Sequence, residues 1–86
     1  MNILLLTQNG CGPCDLVKNY LNGKNVDHIV VNVSEKPEAV GQYGIMSTPV
    51  VILRDDNDTE ISRVSGLRFD DLDAVIGQLQ EVSHER

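Results

Sequence analysis

Cys11-Gly12-Pro13-Cys14 is the stretch from which the rest of this chain is read. It contains both cysteines of the 86-residue sequence. Before it stands a continuous apolar run, Ile3-Leu4-Leu5-Leu6-Thr7, closed by the loop residues Gln8-Asn9-Gly10. After it, Leu16, Val17, Tyr20 and Leu21 recur at helical spacing. The run predicts a strand buried on both faces, and Pro13 to Tyr20 or Leu21 predicts a helix that Asn22-Gly23 stops. Pro13 fits the first helical turn, where its missing N–H is not needed.

The placement gives the two thiols a chemistry. A helix starting at or just after Cys11 puts that sulfur at the amino-terminal end, where free backbone N–H groups and the helix dipole favour a thiolate. Cys14 follows one turn later on the same side, and the spacing predicts it to be the more buried of the two. Thiol–disulfide exchange then divides naturally. Cys11 attacks a substrate disulfide, and Cys14 attacks Cys11 and releases the reduced substrate. Gly12 and Pro13 shape the turn, and Asp15 places a negative charge beside it. Two other uses of the pair are a structural staple and a metal site. A loop this small restrains the unfolded chain little. A zinc site needs about four ligands, and only His28, in a predicted strand, and His84, in the tail, are available to join the cysteines.

Working outward, His28-Ile29-Val30-Val31-Asn32-Val33 predicts a second strand. Ser34 is a candidate cap for a short helix from Glu35 to Gln42 or Tyr43, with Pro37 in its first turn and Gly44 at its end. Thr48-Pro49 opens a third strand, Val50-Val51-Ile52-Leu53. On spacing alone Pro49 is an ordinary trans residue starting a strand or a cis residue presenting the Thr48 backbone to a partner's extended chain. Asp55-Asp56-Asn57-Asp58 is a turn. Glu60 to Ser65 alternates polar and apolar residues as a half-exposed strand does, so strands three and four form an antiparallel hairpin. Gly66 breaks the chain. Phe69, Leu72, Val75, Ile76 and Leu79 line one face of a last helix running to about Glu81, and Val82 to Arg86 are expected to fray. The order is β-α-β-α-β-β-α, an α/β fold with a four-stranded mixed sheet flanked by three helices, in a single domain spanning residues 1–86.

Composition bounds the function. The apolar fraction of 41% is that of a folded domain. No apolar stretch approaches the ~20 residues of a membrane span, and the start lacks the features of a signal peptide. The chain therefore reads as soluble, cytoplasmic and monomeric, in a reducing compartment where a disulfide is cycled. Net charge is −6, from 13 acidic and 7 basic residues, with no basic run; nucleic acid is not an expected partner. Met46 and Leu67 are candidates for apolar partner contact or for core packing.

With these residues in view, the chain resembles the thioredoxin-like superfamily. Cys11-Gly12-Pro13-Cys14 is identical to the thioredoxin active-site tetrapeptide, and Asn32 through Pro37 to Tyr43-Gly44-Ile45, with Pro49 beyond, is similar to the same family. The resemblance implies a cis Pro49 packed against the disulfide. The chain departs from thioredoxin in lacking its extra amino-terminal strand and helix, in Gly10 where thioredoxins carry tryptophan, and in Leu5 and Val30 where they carry a buried aspartate and its lysine partner. Ser65-Gly66-Leu67-Arg68, followed by Phe69-Asp70, resembles the Ser-Gly-Phe-Arg-Pro-Asp signature of the NrdH-redoxins, small glutaredoxin-like proteins. The resemblance implies a dithiol reductant of protein disulfides. Thioredoxin reductase would serve it and ribonucleotide reductase would be a client. No cofactor is needed beyond the Cys11–Cys14 pair and no metal, and the substrate surface would include Thr48, Gly66 and Leu67 with Gly12, Pro13 and Pro49. Glutaredoxins proper have a paired glycine before the last helix and basic groups for glutathione; here Gly66 stands alone, and Asp70 and Asp71 are placed to cap the helix or meet an amine. A glutathione-dependent glutaredoxin and a non-catalytic binding subunit on the same fold are the alternative functions.

Overall fold

The protein is described from a computed structural model covering residues 1–84. Among them, strands β1 (Asn2–Thr7), β2 (Ile29–Asn32), β3 (Val50–Arg54) and β4 (Glu60–Ser65) alternate with helices α1 (Gly12–Gly23), α2 (Glu38–Tyr43) and α3 (Phe69–His84) in the expected order. The sheet order is β2-β1-β3-β4, with β1 parallel to β2 and antiparallel to β3, and β4 antiparallel to β3.

The two unbroken apolar runs, β1 and β3, are the central strands because each buries both faces. Ile3, Leu5, Val51 and Leu53 point to one face, where Val17 and Leu21 of α1 and Leu72, Val75 and Ile76 of α3 close over them. Leu4, Leu6, Val50 and Ile52 point to the other, against Ala39 of α2 and Ile45. The period-two alternation of a strand thus feeds two separate cores from one apolar run.

Helix ends differ from the sequence expectation in ways with clear causes. α1 runs through Gly23, so Asn22-Gly23 does not stop it. The left-handed residue is Asn25, at φ 56°. The Val26 N–H donates to the Leu21 carbonyl and the Asn25 N–H to the Asn22 carbonyl, each at 3.0 Å, which closes the helix and tucks Val26 into the core beside Leu21. α2 starts at Glu38 rather than Glu35, with Pro37 preceding it; Ser34 does not cap it. Gly44 ends it at φ 62°, as expected, and buried Ile45 follows. α3 continues past Glu81 to His84, and residues 85–86 of the expected frayed tail lie outside the described residues.

Edge strands account for the remaining differences. β2 is shorter than the His28–Val33 run, and Ile29 and Val30 are exposed because β2 lies at the margin of the sheet. In β4 the alternation fails: Val64 is buried and Ile61 exposed, because a register irregularity beside Leu53 and Arg54 moves the pairing from Ser62 to Glu60 and skips Ile61. A polar clamp fastens α1 to α3. The Tyr20 hydroxyl donates to Asp73, the Lys24 ammonium lies 3.5 Å from the same carboxylate, and the Tyr20 ring meets Phe69 with centroids 4.7 Å apart.

Candidate active site

Cys11 is the N-cap of α1, in extended conformation, with Gly12 and Pro13 opening the helix. Its sulfur is bonded to Cys14, the Cα atoms standing 5.3 Å apart. The Cys14 N–H also points at the Cys11 sulfur, at 3.2 Å. The two thiols are unequal: Cys11 is partly exposed, whereas Cys14 is 1% exposed. The expected difference in burial between them is therefore present. Gly10, immediately before Cys11, has φ +68°, a backbone geometry that glycine adopts freely and bulky residues rarely do.

A second loop meets the cysteines from β3. The Thr48–Pro49 peptide bond is cis and Pro49 is buried. The Thr48 hydroxyl donates to the Cys11 sulfur across 3.6 Å, and the Thr48 carbonyl oxygen lies 3.9 Å from the same atom. The third loop is tied to the second. The Gly66 N–H donates to the Pro49 carbonyl at 2.9 Å, and Gly66 takes φ +79° to do so. Leu67, next along, is partly exposed, and Met46 is fully exposed; neither is a core residue. The three predicted segments, Cys11-Gly12-Pro13-Cys14, Thr48-Pro49 and Gly66-Leu67, are thereby linked around one sulfur. Gly12 and Pro13 are exposed at the tip, and a side-chain carbon placed on Gly12 would meet nothing within 4 Å.

Other predicted contributors behave differently. Asp71, in the first turn of α3, pairs at 2.8 Å with Arg68, which stands just before the helix. His28 lies in the loop before β2 and sets its Nδ1 2.9 Å from the Val26 carbonyl oxygen. Among the described residues no group of three or more metal-binding side chains gathers.

One polar network escaped the reading of the sequence. Asn32 donates its amide to the Asn9 side-chain oxygen at 2.8 Å, and its own oxygen accepts the Ser34 N–H at 2.8 Å. The Ser34 hydroxyl oxygen accepts the Asn9 N–H at 3.0 Å. These bonds pin the loop before Cys11 to the turn after β2. The signal was present in the local chemistry of asparagine and serine, which hold turns through their side chains, but the pairing of Asn9 with Asn32 needs the β1–β2 register to bring them together.

This geometry is matched in known proteins. The glutaredoxin family model matches residues 3–57. The SPbeta prophage-derived thioredoxin-like protein YosR of Bacillus subtilis is 35% identical over 80 residues, covering 93% of this chain and 100% of that protein. Thioredoxin of Listeria monocytogenes is 31% identical over 75 residues, covering 79% and 72% of the two chains. The structure of thioredoxin 1 from Thermosipho africanus superimposes with a TM-score of 0.75 over 98% of this chain and 99% of that one, at 22% identity, which speaks for the fold. With its paired cysteines at a helix start and these matches over most of its length, the chain belongs to the thioredoxin/glutaredoxin superfamily and is a dithiol–disulfide oxidoreductase.

Proposed function

We propose that this chain is a reductant of protein disulfides, with Cys11 as the attacking thiol and Cys14 as the resolving one. The observation that carries the reading is the asymmetry of the pair at the helix end: a partly exposed sulfur that accepts a backbone N–H, and a sealed partner bonded to it. When the disulfide is reduced, the same N–H and the helix dipole favour the Cys11 thiolate, the form that attacks. A client disulfide is opened to a mixed disulfide on Cys11, and the client's other sulfur leaves as a thiol. Cys14 then attacks Cys11, re-forming the internal disulfide and releasing the second client sulfur as a thiol. Two electrons and two protons pass to the client. The client strand lies along Thr48 and Pro49, with Gly12, Pro13, Gly66 and Leu67 around it. The cysteine pair is itself the redox centre, with no bound cofactor or metal. Electrons come from a flavin-dependent thioredoxin reductase, and ribonucleotide reductase is the favoured client, both on the resemblance of the motifs. The protein acts as a cytoplasmic monomer. Among the described residues no helix is long and apolar enough to cross a membrane.

A coupled NADPH assay tests this. Turnover is expected with thioredoxin reductase and a protein disulfide, and little with glutathione and glutathione reductase. No turnover in either system, with both thiols titratable, overturns it. The glutathione-linked reading has the glutaredoxin family match in its favour, and turnover with glutathione alone selects it. A non-catalytic binding subunit keeps its biological role when both cysteines become serine; the reductant loses it.

A further inference from the structure

The segment that carries Thr48 is held at both ends from β4. Beyond it, the N–H of Gly66, the residue after β4, donates to the Pro49 carbonyl at 2.9 Å. Before it, the Arg63 guanidinium of β4 donates to the Tyr43 carbonyl at 2.8 Å. Tyr43 is the last residue of α2, and the last turn of that helix has no basic residue of its own to meet its free carbonyls. Between the two ties, Gly44 turns the chain, Ile45 is buried, and Thr48 reaches the Cys11 sulfur.

Arg63 is itself held in place. Its Nε and the terminal nitrogen that reaches Tyr43 also donate to the two carboxylate oxygens of Glu60, at 2.9 and 2.7 Å. The Arg63 hydrogen bonds hold the Glu60 carboxyl below its ordinary range. In a regular strand, residues three apart point to opposite faces. The irregularity that skips Ile61 removes that difference. Arg63 is the register neighbour of Ile52 and Glu60 of Arg54, alternate residues of β3, so both stand on the face that α2 covers. The bulge thus turns a carboxylate toward the guanidinium and fixes the fork that ends α2.

We infer that Arg63 is a positioning residue for polypeptide reduction: through the Tyr43 carbonyl it fixes the start of the segment that sets Thr48 beside Cys11, and so the backbone along which a client strand lies. The inference rests on the client path proposed above and adds a residue that does not touch the reacting sulfurs. A strand that pairs with the Thr48 backbone binds more tightly when that backbone is ordered beforehand, because less freedom is lost on association. A small disulfide meets the sulfur alone and does not depend on that order.

Single-turnover oxidation of the pre-reduced protein by insulin and by hydroxyethyl disulfide tests this, read by alkylation and mass spectrometry. Arg63→Met keeps the length of the side chain and removes its donors. It is expected to raise the half-saturating insulin concentration about threefold, the scale of one partly exposed charged contact. The maximal rate with insulin and the rate with hydroxyethyl disulfide should not change. Glu60→Gln is expected to act in the same direction and less. Arg54→Gln makes the same charge change at the far end of β3, where it removes the Asn2 and Asp58 contacts, and is expected to leave all three quantities at wild-type values. In the oxidised protein, Arg63→Met should also speed exchange of the Ile45 amide, which donates to the Val40 carbonyl at the end of α2, and not of the Val26 amide after α1. The proposal is overturned if neither Arg63→Met nor Glu60→Gln raises the half-saturating concentration, if Arg54→Gln raises it as much, if the hydroxyethyl disulfide rate falls by the same factor, or if Ile45 exchange is unchanged. A wild-type dithiol that reacts with neither disulfide overturns the redox reading itself, and this role with it.

Discussion

At the scale of single residues, everything converges on the Cys11 sulfur. It accepts the Cys14 N–H at 3.2 Å and faces the Thr48 hydroxyl at 3.6 Å. Replacing Cys14 with serine is expected to trap a client as a stable mixed disulfide on Cys11, visible as an added mass that dithiothreitol removes. Cys11→Ser should trap nothing, because the remaining sulfur is sealed. Thr48→Val keeps the shape and removes the hydroxyl. A neutral hydrogen bond contributes about 0.5–1.5 kcal/mol, so iodoacetamide should alkylate Cys11 of the reduced variant about two- to tenfold more slowly at neutral pH. An unchanged rate would mean that the hydroxyl does not support the thiolate. The cysteines, their unequal burial and Pro49 were legible in the sequence, because spacing and a motif carry them. Thr48 was legible as a position, but its side chain's approach to Cys11 was not, since 37 residues separate the two and only the sheet brings them together.

At the scale of elements, two polar connections hold the site's surroundings in place. The first is the clamp between α1 and α3. The hydrogen bond from Tyr20 is the main reason the Asp73 carboxyl is held below its ordinary range, with the Lys24 charge adding to it. A carboxyl lowered by folding adds stability above its unfolded pKa, and that stability is lost as pH falls through the folded value. Tyr20→Phe keeps the ring contact with Phe69 and removes the hydroxyl. The gap in melting temperature between wild type and Tyr20→Phe should therefore narrow as pH is lowered below about 4, where free aspartate protonates. Chief among the causes, the Asp73 hydrogen bond raises the Tyr20 phenol and the Asp73 charge raises the Lys24 ammonium. Their contributions are present below the unfolded values and are lost as strong alkali is approached, so the gap should narrow there too. A gap that stays constant across the range would assign the clamp no linked protons. The second connection is the Asn9, Asn32 and Ser34 network that anchors the loop before Cys11. Asn32→Ala removes two of its bonds, and urea unfolding should show a loss of about 1–2 kcal/mol. Helix existence was readable from apolar spacing, but the ends were not. Asn25 rather than Gly23 turns the chain after α1 because Val26, not a residue nearer the helix, finds a place in the core.

At the scale of the whole molecule, a thin sheet with a core on each face supports a redox site at one end. Ile52 and Leu53 are sequence neighbours that serve opposite cores, with Ile52 facing α2 and Leu53 facing α1 and α3. Each is fully buried, so truncation to alanine should cost about 2–5 kcal/mol in urea unfolding. Domains of this kind are stable by about 5–15 kcal/mol in all, so the double variant should be largely unfolded by circular dichroism; a cooperative transition near the wild-type midpoint would contradict two independent cores. The sequence by itself determined the element order, the central strands, the reactive pair and its chemistry. Those properties are local: apolar periodicity, β-branching, and two thiols one helical turn apart act over a few residues. Only the tertiary structure decided which strands lie at the margins, which face each helix covers, that the Thr48 hydroxyl turns to the Cys11 sulfur, and that a charged groove opens beside it. Those outcomes depend on strand order and register, which bring together residues distant along the chain and leave no periodic trace in it.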